Sequence, residues 1–350
     1  MTYLIHRLIL IIPTIFLILL FNFFLIQLTP GGPIEHIMAQ LSGLSTDTLG
    51  QNENDEQAAN SSGYADEALR EKLNKQFGFD QPIYMRFIKM IQAYSHFDFG
   101  SSYFDNQPVI DLIKSKLPVS ISLGLWSTLI IYLISVPIGI RKANKAGSMF
   151  DFYTSLILSL VHAIPGFLLA LLLITIFAGG TYFQWFPLGG LASDTYSDLS
   201  LVDKIKDYVW HLILPIVAFS MAGFAQLTLL TKNAFLEEIN KQYVVALKAK
   251  GLADSTITYR HIFKNAMLII IVGFPSVFVS AFFTGSLLIE SIFSLDGLGL
   301  LSFNALMKRD YPVIFGSLFI FTLIGLFIKI VADLLSCWID PRIHFSSATI

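Results

Sequence analysis

Cysteine and charge are both scarce in this sequence. The 350 residues include a single cysteine, Cys337, so no disulfide framework can hold the chain together. Only 14% of the residues are Asp, Glu, Lys or Arg, whereas 54% are apolar. This balance lies outside the range of ordinary soluble domains. The sequence therefore predicts an integral membrane protein that lies in a lipid bilayer.

Catalytic signatures are missing as well. The sequence contains no GxxxxGK[ST] phosphate loop, no HExxH, no GxSxG and no close cluster of Cys and His. Its seven histidines are scattered along the chain, which favours interfacial or structural roles over metal ligation. We expect no catalytic residue, no metal site, no cofactor bound by this chain and no nucleic-acid partner.

Six apolar stretches are long enough to cross a bilayer as helices, a crossing that takes about 20 residues. They are 4–28, 119–140, 152–178, 211–230, 266–293 and 313–335. In the first stretch His6 and Arg7 precede an apolar run, as in a secretory signal, but that run is too long and no cleavage site of small residues follows it. It is therefore expected to remain as an anchor. The predicted fold class is all-α, with six transmembrane helices.

Lysine and arginine predict the orientation, because these residues stay on the cytoplasmic side in short loops. They concentrate in 141–151 and in 231–265, so both connections are expected in the cytoplasm. Six crossings then put both termini inside and the segments 29–118, 179–210 and 294–312 outside. The seven basic residues of 29–118 do not contradict this, because long translocated segments escape the charge rule.

The predicted domains follow from these spans. Residues 1–28 form an N-terminal transmembrane helix, and 29–118 form an outer, periplasmic segment. Within that segment the polar tract at about 42–63 is predicted to be flexible. Two helices are predicted after it, one in "ADEALREKLNKQFG" and one that opens at Pro82, so that they form a small helical insertion on the outer face. A five-helix core at 119–335, with a cytoplasmic loop at 231–265, precedes a cytoplasmic tail at 336–350.

Three charged residues fall inside or near the ends of spans, where a charge at the bilayer centre costs about 3 kcal/mol. Lys329 and Asp333 are four residues apart, and a self-satisfied helical pair explains them more readily than a transport role does. For Glu290, the sequence supports a gate or interface role and simple interfacial placement equally.

The loop "YVVALKAKGLADSTITYRHIFKNAM", Tyr243 to Met267, is too polar to cross a membrane. It could be an amphipathic helix that rests on lipid headgroups, with its lysines attracted to anionic lipid. It could equally be a short helix with a small-residue surface, ended at Gly251, that fits a groove in a soluble partner. The physics of the sequence leaves both interpretations open.

This loop resembles the cytoplasmic loop of bacterial ATP-binding-cassette (ABC) importer permeases of the oligopeptide/dipeptide branch. The matching residues are "ALKAKGL" from Ala246 and "RHIFKNA" from Arg260, although Val245 and Leu247 stand where Glu and Ala are commonest. Gly32 and Asp296 likewise replace the aspartate and proline that are usual in this branch. Further matches cover nearly the whole chain: "RLILIIPTIFLILLFNFFLIQLTPGGP", "FGFDQP", "FDFGSS", "LPVSISLG", "TGSLLIESIFSLDGLG", "RDYPVIFGS" and "DPRI".

The resemblance implies a type I ABC importer permease fold and a place in the bacterial inner membrane. It implies four kinds of partner: a second homologous permease, ABC ATPase subunits or one duplicated ATPase, a periplasmic solute-binding protein and a peptide substrate. ATP and Mg would be used by the ATPase. The cargo would be oligopeptides or peptide conjugates such as microcin C.

The resemblance also implies two groups of site residues. The first group would dock into the ATPase and couple it to transport: Tyr243, Ala246, Leu247, Ala249, Lys250, Gly251, Leu252, Arg260, His261 and Asn265. The second would lie at the outer gate, at the interface with the binding protein: Glu290, Asp296, Gly297, Gly299, Arg309 and Asp310.

Two other functions remain open at this stage. An ABC permease for nickel or another small solute would share the same motifs, because the binding protein largely sets selectivity. An ion-coupled secondary transporter would use Glu290, Lys329 and Asp333 as ion sites and would need no ATPase.

Overall fold

The computed structural model describes residues 2–28, 81–180, 182–280 and 286–339. Several predictions lie outside these ranges: the "PGGP" ending of the first span, the tract at 42–63, the first outer helix, the "DPRI" motif and the part of the tail beyond residue 339. The chain divides into two compact units. We call 8–111 with 308–319 the strap unit, and 1–7, 112–307 and 320–350 the core unit.

Helices make up most of the described residues of both units, and these residues contain no β-strand beyond one isolated bridge between Ser101 and Pro108. The prediction of an all-α fold is thereby confirmed for this part of the chain. The helices are α1 Thr2–Leu28, α2 Ile83–Ser95, α3 Val109–Asn144, α4 Met149–Ala163, α5 Gly166–Phe177, α6 Leu201–Ile239, α7 Gln242–Ala249, α8 Phe263–Ser280, α9 Ser286–Ile292, α10 Leu298–Lys308 and α11 Tyr311–Ile339. A helical turn at Asp254–Thr256 and a π-helix at Ile257–Ile262 lead into α8.

Three of these elements are long and apolar enough to cross a membrane by themselves: Val109–Asn144, Asp254–Pro275 and Tyr311–Leu335. Two bent pairs raise the number to five, namely α4 with α5 and the two halves of α6. The apolar part of α1 for which side chains are described, Ile9–Leu25, is slightly shorter. These lengths establish a multi-pass helical architecture within the described residues, while the count of six spans stays a prediction.

The predicted third span, 152–178, is not a straight helix. It is broken between α4 and α5, whose axes meet at 89°. The break lies at Ile164 and Pro165, because proline disfavours helical backbone in the residue before it. Ile164 accordingly has an extended ψ of 118°, and Pro165 becomes the N-cap of α5. Proline was visible in the sequence, but the size of the bend was not.

Small residues let α3 and α6 pack closely in the core unit. A Cβ atom at Gly139 would lie 2.5 Å from Cβ of Thr231 and 2.8 Å from the carbonyl oxygen of Thr228. Further along the same pair, the hydroxyl of Ser135 donates a 3.3 Å hydrogen bond to the carbonyl of Phe224. Small and hydroxyl-bearing contacts of this kind are the usual means of helix association in lipid, where apolar burial gives little driving force.

A buried carboxylate organises the strap unit. Asp310 precedes α11 and accepts a 2.5 Å hydrogen bond from the hydroxyl of Ser102 and a 3.3 Å bond from the backbone N–H of Tyr103. One turn further into α11, Gly316 leaves room for the side chains of Val109 and Phe99. The segment between α2 and α3 is therefore fastened to the first turns of α11.

The close approach at Gly139 predicts a stability difference between two glycine substitutions. Gly139→Ala should lower the thermal unfolding midpoint of the transporter in lipid nanodiscs, since overpacking of this kind costs about 1–3 kcal/mol. Gly273→Ala in α8 is the matched control, because a Cβ there meets no atom within 4 Å. That variant should keep or slightly raise the midpoint through its better helix propensity. Equal midpoints for the two variants would contradict the close packing of α3 on α6.

Candidate functional site

The helix α7 ends in a motif that requires glycine. Gly251 has a φ of +79°, a left-handed conformation that other residues adopt only with strain. Its N–H donates to the carbonyl of Lys248 at 2.9 Å, and the N–H of Leu252 donates to the carbonyl of Leu247 at 3.3 Å. This pair of bonds is a Schellman cap. The predicted glycine stop is therefore confirmed, with backbone conformation as its cause.

One face of α7 packs into the core unit and the other faces outward. Val244 is buried, and Tyr243, Leu247 and Leu252 pack against the same apolar cluster as Phe235. The exposed face carries the small or short side chains of Val245, Ala246 and Ala249, with the exposed residues Gln242, Lys248 and Lys250 around them. The helix thus presents a low central surface, flanked by lysines, on a packed base.

A single carboxylate joins α7 to the long helices on both sides of it. Glu238, near the end of α6, accepts a 2.7 Å hydrogen bond from the hydroxyl of Tyr243 and forms an ion pair with Lys241. The side-chain amide of Asn265, in α8, donates to the same carboxylate at 3.3 Å. Glu238 is itself buried. We call these four residues the Glu238 hub.

The pKa shifts in the hub show that it is charged and intact at neutral pH. Burial alone would raise the pKa of the Glu238 carboxyl, but hydrogen bonds from Lys241, Tyr243 and Asn265 hold that pKa below its ordinary value. The hydrogen bond to Glu238 raises the pKa of the Lys241 ammonium. Burial, followed by the hydrogen bond to Glu238, raises the pKa of the Tyr243 hydroxyl to about 12. The stability that the depressed carboxyl pKa contributes is complete above its ordinary value of about 4 and is lost only as the pH falls through the folded value.

The segment that follows α7 returns to α8 through the π-helix at Ile257–Ile262. Such wide turns are rare and often occur at functional sites. Arg260 is exposed and His261 is half-buried in this turn. The hydroxyl of Thr258 donates to the side-chain oxygen of Asn144 at 3.3 Å, which ties the π-helix to the end of α3.

A second ionic cluster lies where α3, α4 and α6 meet. The fully buried ammonium of Lys142 donates to the carbonyl of Asp151 at 2.8 Å and to the hydroxyls of Thr154 and Ser155 at 2.7 and 2.8 Å. Both Lys142 and Lys232 form ion pairs with the Asp151 carboxylate, at 3.0 and 2.7 Å. The hydrogen bond from Lys232 is the main cause that lowers the pKa of Asp151 well below its usual range. The cluster therefore remains charged at neutral pH and fastens three helices together.

Sequence analysis missed Glu238, Asp151 and the pairing of Lys142 and Lys232. The two lysines entered the orientation argument only as cytoplasmic charges. A usable signal was the position of Asp151, which directly precedes the predicted apolar stretch 152–178, whereas Glu238 lies eight residues beyond the stretch 211–230. A charge at that position needs a partner where the chain leaves the bilayer.

The turn between α9 and α10 is built around Glu290, which is fully buried. Its carboxylate accepts hydrogen bonds from the backbone N–H of Leu300 at 2.7 Å and from the hydroxyl of Ser120 at 3.3 Å. Ser120 accepts in turn from the backbone N–H of Leu298 at 2.8 Å. Gly297 lies directly against the carboxylate, with no room for a side chain. Glu290 thus holds the first turn of α10, in which Gly299 also lies, at the helix end where a negative charge is favoured.

The remaining predicted gate residues are divided between the two units. Asp296, in the core unit, is exposed and forms an ion pair with Lys116 of α3. The neighbouring backbone is held by a 3.0 Å hydrogen bond from the N–H of Gly190 to the carbonyl of Phe293. Arg309 and Asp310 belong to the strap unit, where Arg309 has a φ of 58° and the Asp310 carboxylate binds Ser102. The structure therefore brings Glu290, Asp296, Gly297 and Gly299 together and assigns Arg309 and Asp310 to a separate group.

Lys329 and Asp333 lie on α11, where Lys329 is exposed and Asp333 is half-buried. Across the described ranges, no three His, Cys, Asp or Glu side chains converge as metal ligands would.

Comparison with known proteins identifies the family. Residues 135–345 match the family described as "Binding-protein-dependent transport system inner membrane component". The chain is 52% identical to the "Peptidoglycan transport system permease protein YejB" of Agrobacterium fabrum and 50% identical to the "Inner membrane ABC transporter permease protein YejB" of Escherichia coli O157:H7. Each match covers 98% of both chains. The "Oligopeptide transport system permease protein AppB" of Bacillus subtilis is 30% identical over 98% of this chain and 99% of that protein.

A solved structure of the MetNI methionine ABC transporter, in inward-facing conformations, shares the fold. It covers 66% of this chain and 97% of the other, with a TM-score of 0.50 and 15% sequence identity. At that identity the likeness concerns the fold alone. The chain belongs to the family of binding-protein-dependent transport system inner membrane components, which are the permease subunits of ABC transporters and leave ATP hydrolysis to a separate subunit.

Proposed function

We propose that this chain is one of two permeases in an ATP-driven importer of peptides or peptide conjugates. Six spans place both termini and the connections at 141–151 and 231–265 in the cytoplasm. ATPase subunits, or one duplicated ATPase, bind below the membrane, and a solute-binding protein delivers cargo from above. The second permease completes the translocation path.

The observation that carries this proposal is the outward face of α7 together with its anchor. Ala246 and Ala249 lie exposed on a helix that the Schellman cap ends abruptly at Gly251. Small side chains allow close approach by another surface, and the helix is too polar to enter the bilayer. Docking of this face into a groove of the ATPase is the role that we assign to α7.

Transmission of the ATPase movement requires that α7 be fastened to membrane helices. The Glu238 hub supplies this link, because the carboxylate is shared by α6, the start of α7 and Asn265 of α8. A displacement of α7 would then move the ends of α6 and α8 together. Glu290 and the turn at Asp296 to Gly299 would lie at the outer gate, near the binding protein. In this role the Glu290 carboxylate shapes the turn rather than carrying an ion, which disfavours ion-coupled transport.

The cargo proposal is supported by the chemistry of the groove between α3 and α8 and by the relatives. The groove is lined by apolar, aromatic and hydroxyl side chains, and none of its described lining residues is charged. Such a surface tolerates varied side chains and leaves recognition to the binding protein. The relatives are named for peptide or peptidoglycan transport, so we favour oligopeptides, with microcin C as a conjugate of this class, over nickel.

A second candidate cargo is a peptide released from peptidoglycan. The name of the relative from Agrobacterium fabrum, a peptidoglycan transport permease, favours this cargo. That relative matches this chain over nearly its full length. Peptidoglycan fragments share the peptide backbone with oligopeptides, so both cargoes fit the same uncharged groove.

The hub predicts that Glu238→Gln uncouples the transporter. The substitution removes the negative charge that pairs with Lys241. It also replaces a carboxylate that accepts hydrogen bonds from three side chains by an amide with one acceptor oxygen. In proteoliposomes we expect cargo-stimulated ATPase activity and transport to fall at least about tenfold, which corresponds to about 1.4 kcal/mol of lost coupling.

The control for this experiment is Glu237→Gln, because Glu237 is the adjacent residue of α6 and is exposed. It changes the formal charge by the same amount and should leave transport and ATPase stimulation near their original values. The coupling role would be refuted if both variants behaved alike, or if Glu238→Gln lost activity only because the complex failed to assemble.

The cargo assignment predicts a phenotype in cells. Deletion of this permease should confer resistance to microcin C and abolish uptake of a labelled peptidoglycan peptide or oligopeptide, while nickel uptake stays normal. Restoring the chain together with its partner permease should restore sensitivity. Impaired nickel uptake with unchanged microcin C sensitivity would overturn the peptide assignment and leave the ABC family assignment standing.

A further inference from the structure

The helix α2 exposes an apolar surface that the described residues of its own unit, 8–28, 81–111 and 308–319, leave uncovered. Ile83, Tyr84, Met85 and Ile88 have exposed fractions of 60%, 64%, 46% and 57%. All four lie in its first two turns, so they form one continuous patch, which we call the α2 patch. A patch of large apolar side chains on a folded protein marks a surface that a membrane or a partner protein covers.

The same two turns pack against the membrane helix α1. The ring of Phe87 lies 5.7 Å from the ring of Phe16 and 5.1 Å from that of Phe23, measured between centroids. At 1.5 Å per residue, Phe16 and Phe23 lie about 18 Å and 7 Å along α1 from its end at Leu28. Phe87 therefore lies beside the apolar body of α1 rather than beyond its end.

The exposed surface of α1 along the same stretch is suited to contact with lipid. Ile12, Leu17 and Phe21 have exposed fractions of 71%, 61% and 64%, and residues 9–25 include no charged side chain. Only acyl chains or another apolar helix can cover such a surface. Since α2 packs on α1 through Phe87, the α2 patch lies next to this surface. Arg86, the charged residue of these two turns, is half-buried and does not belong to the exposed patch.

Polarity changes along the axis of α2 rather than around it. The exposed residues of the first half are apolar, whereas those of the second half include Lys89, Gln92 and Ser95. Tyr84 and Lys89 are residue types that reach from apolar surroundings to headgroups. This gradient fits a helix that enters a leaflet obliquely, with its N-terminal turns deepest.

We propose that the first two turns of α2 are embedded in the bilayer leaflet next to the C-terminal end of α1, with acyl chains against the α2 patch. The inference goes beyond the transport role and rests on the proposed function only in that α1 spans the membrane. It assigns this part of the segment between the first two spans to the membrane rather than to water. The helix would thereby anchor the strap unit in lipid.

Fluorescence quenching in the assembled transporter tests the proposal. Cysteines are introduced singly in a Cys337→Ser background by Ile83→Cys, Ile88→Cys, Gln92→Cys and Gln107→Cys, with Leu17→Cys on α1 as the lipid reference. Each variant is labelled with the same environment-sensitive fluorophore and reconstituted in nanodiscs with or without lipids that carry a nitroxide in the acyl chain. Gln92 is the matched control on the same helix, and Gln107 is an exposed residue beyond it.

Labels at Ile83 and Ile88 should be quenched by the acyl-chain nitroxide to within about twofold of the label at Leu17, whereas labels at Gln92 and Gln107 should respond mainly to aqueous iodide. Two positions are used so that one poorly folded variant cannot decide the result. If both labels responded to iodide instead, the patch would face water and the proposal would fail. If they responded to neither quencher, another subunit would cover the patch and the proposal would also fail. If the cargo experiment overturned the peptide assignment, this quenching pattern would stay unchanged, so the two proposals fail separately.

Discussion

A charged side chain that is buried away from water needs polar partners. In this chain that requirement sets the arrangement of the helices at the end of the bundle where α7 lies. The Glu238 carboxylate, near the end of α6, is satisfied by Lys241, Tyr243 and Asn265. These partners come from the start of α7 and from α8, so satisfying one buried acid sets the position of α7 against two long helices. Without that carboxylate, the buried side chains of α7 would still pack, but no polar contact would hold its first turn to both neighbours.

The other ionic contacts of the core unit apply the same rule elsewhere. Asp151 draws Lys142 and Lys232 together and thereby joins α3, α4 and α6. Glu290 is satisfied by Ser120 and by the first turn of α10, which gives the turn after α9 its shape. Apolar surface gives little specificity in lipid, whereas a buried polar contact has few alternatives. The sparse charges of this sequence therefore determine how its helices are arranged where those charges are buried.

Local chemistry explains what could be predicted from the sequence. The end of α7 at Gly251 was predictable, because a left-handed cap needs only glycine and the carbonyls just before it. The start of α2 after Pro82 was predictable because the fixed φ of proline suits the start of a helix. The partners of Glu238 and Asp151 were not, because they lie up to 27 and 81 residues away in the chain. Glu290 was named as a candidate, yet its contact with Leu300 depends on a turn that no periodicity reveals. The 89° break at Pro165 required tertiary packing to set its angle.

We propose that the outward face of α7 docks into the ATPase and that the hub carries the resulting movement into the membrane helices. Site-directed cross-linking tests this docking most directly, with Ala249→Cys in a Cys337→Ser background and a cysteine in the groove of the partner ATPase. Docking should give a cross-link in the assembled transporter that stops transport and is reversed by reduction. Docking would be ruled out if Ala249→Cys formed no cross-link and instead remained fully reactive to a water-soluble thiol reagent in the complete, ATP-hydrolysing complex.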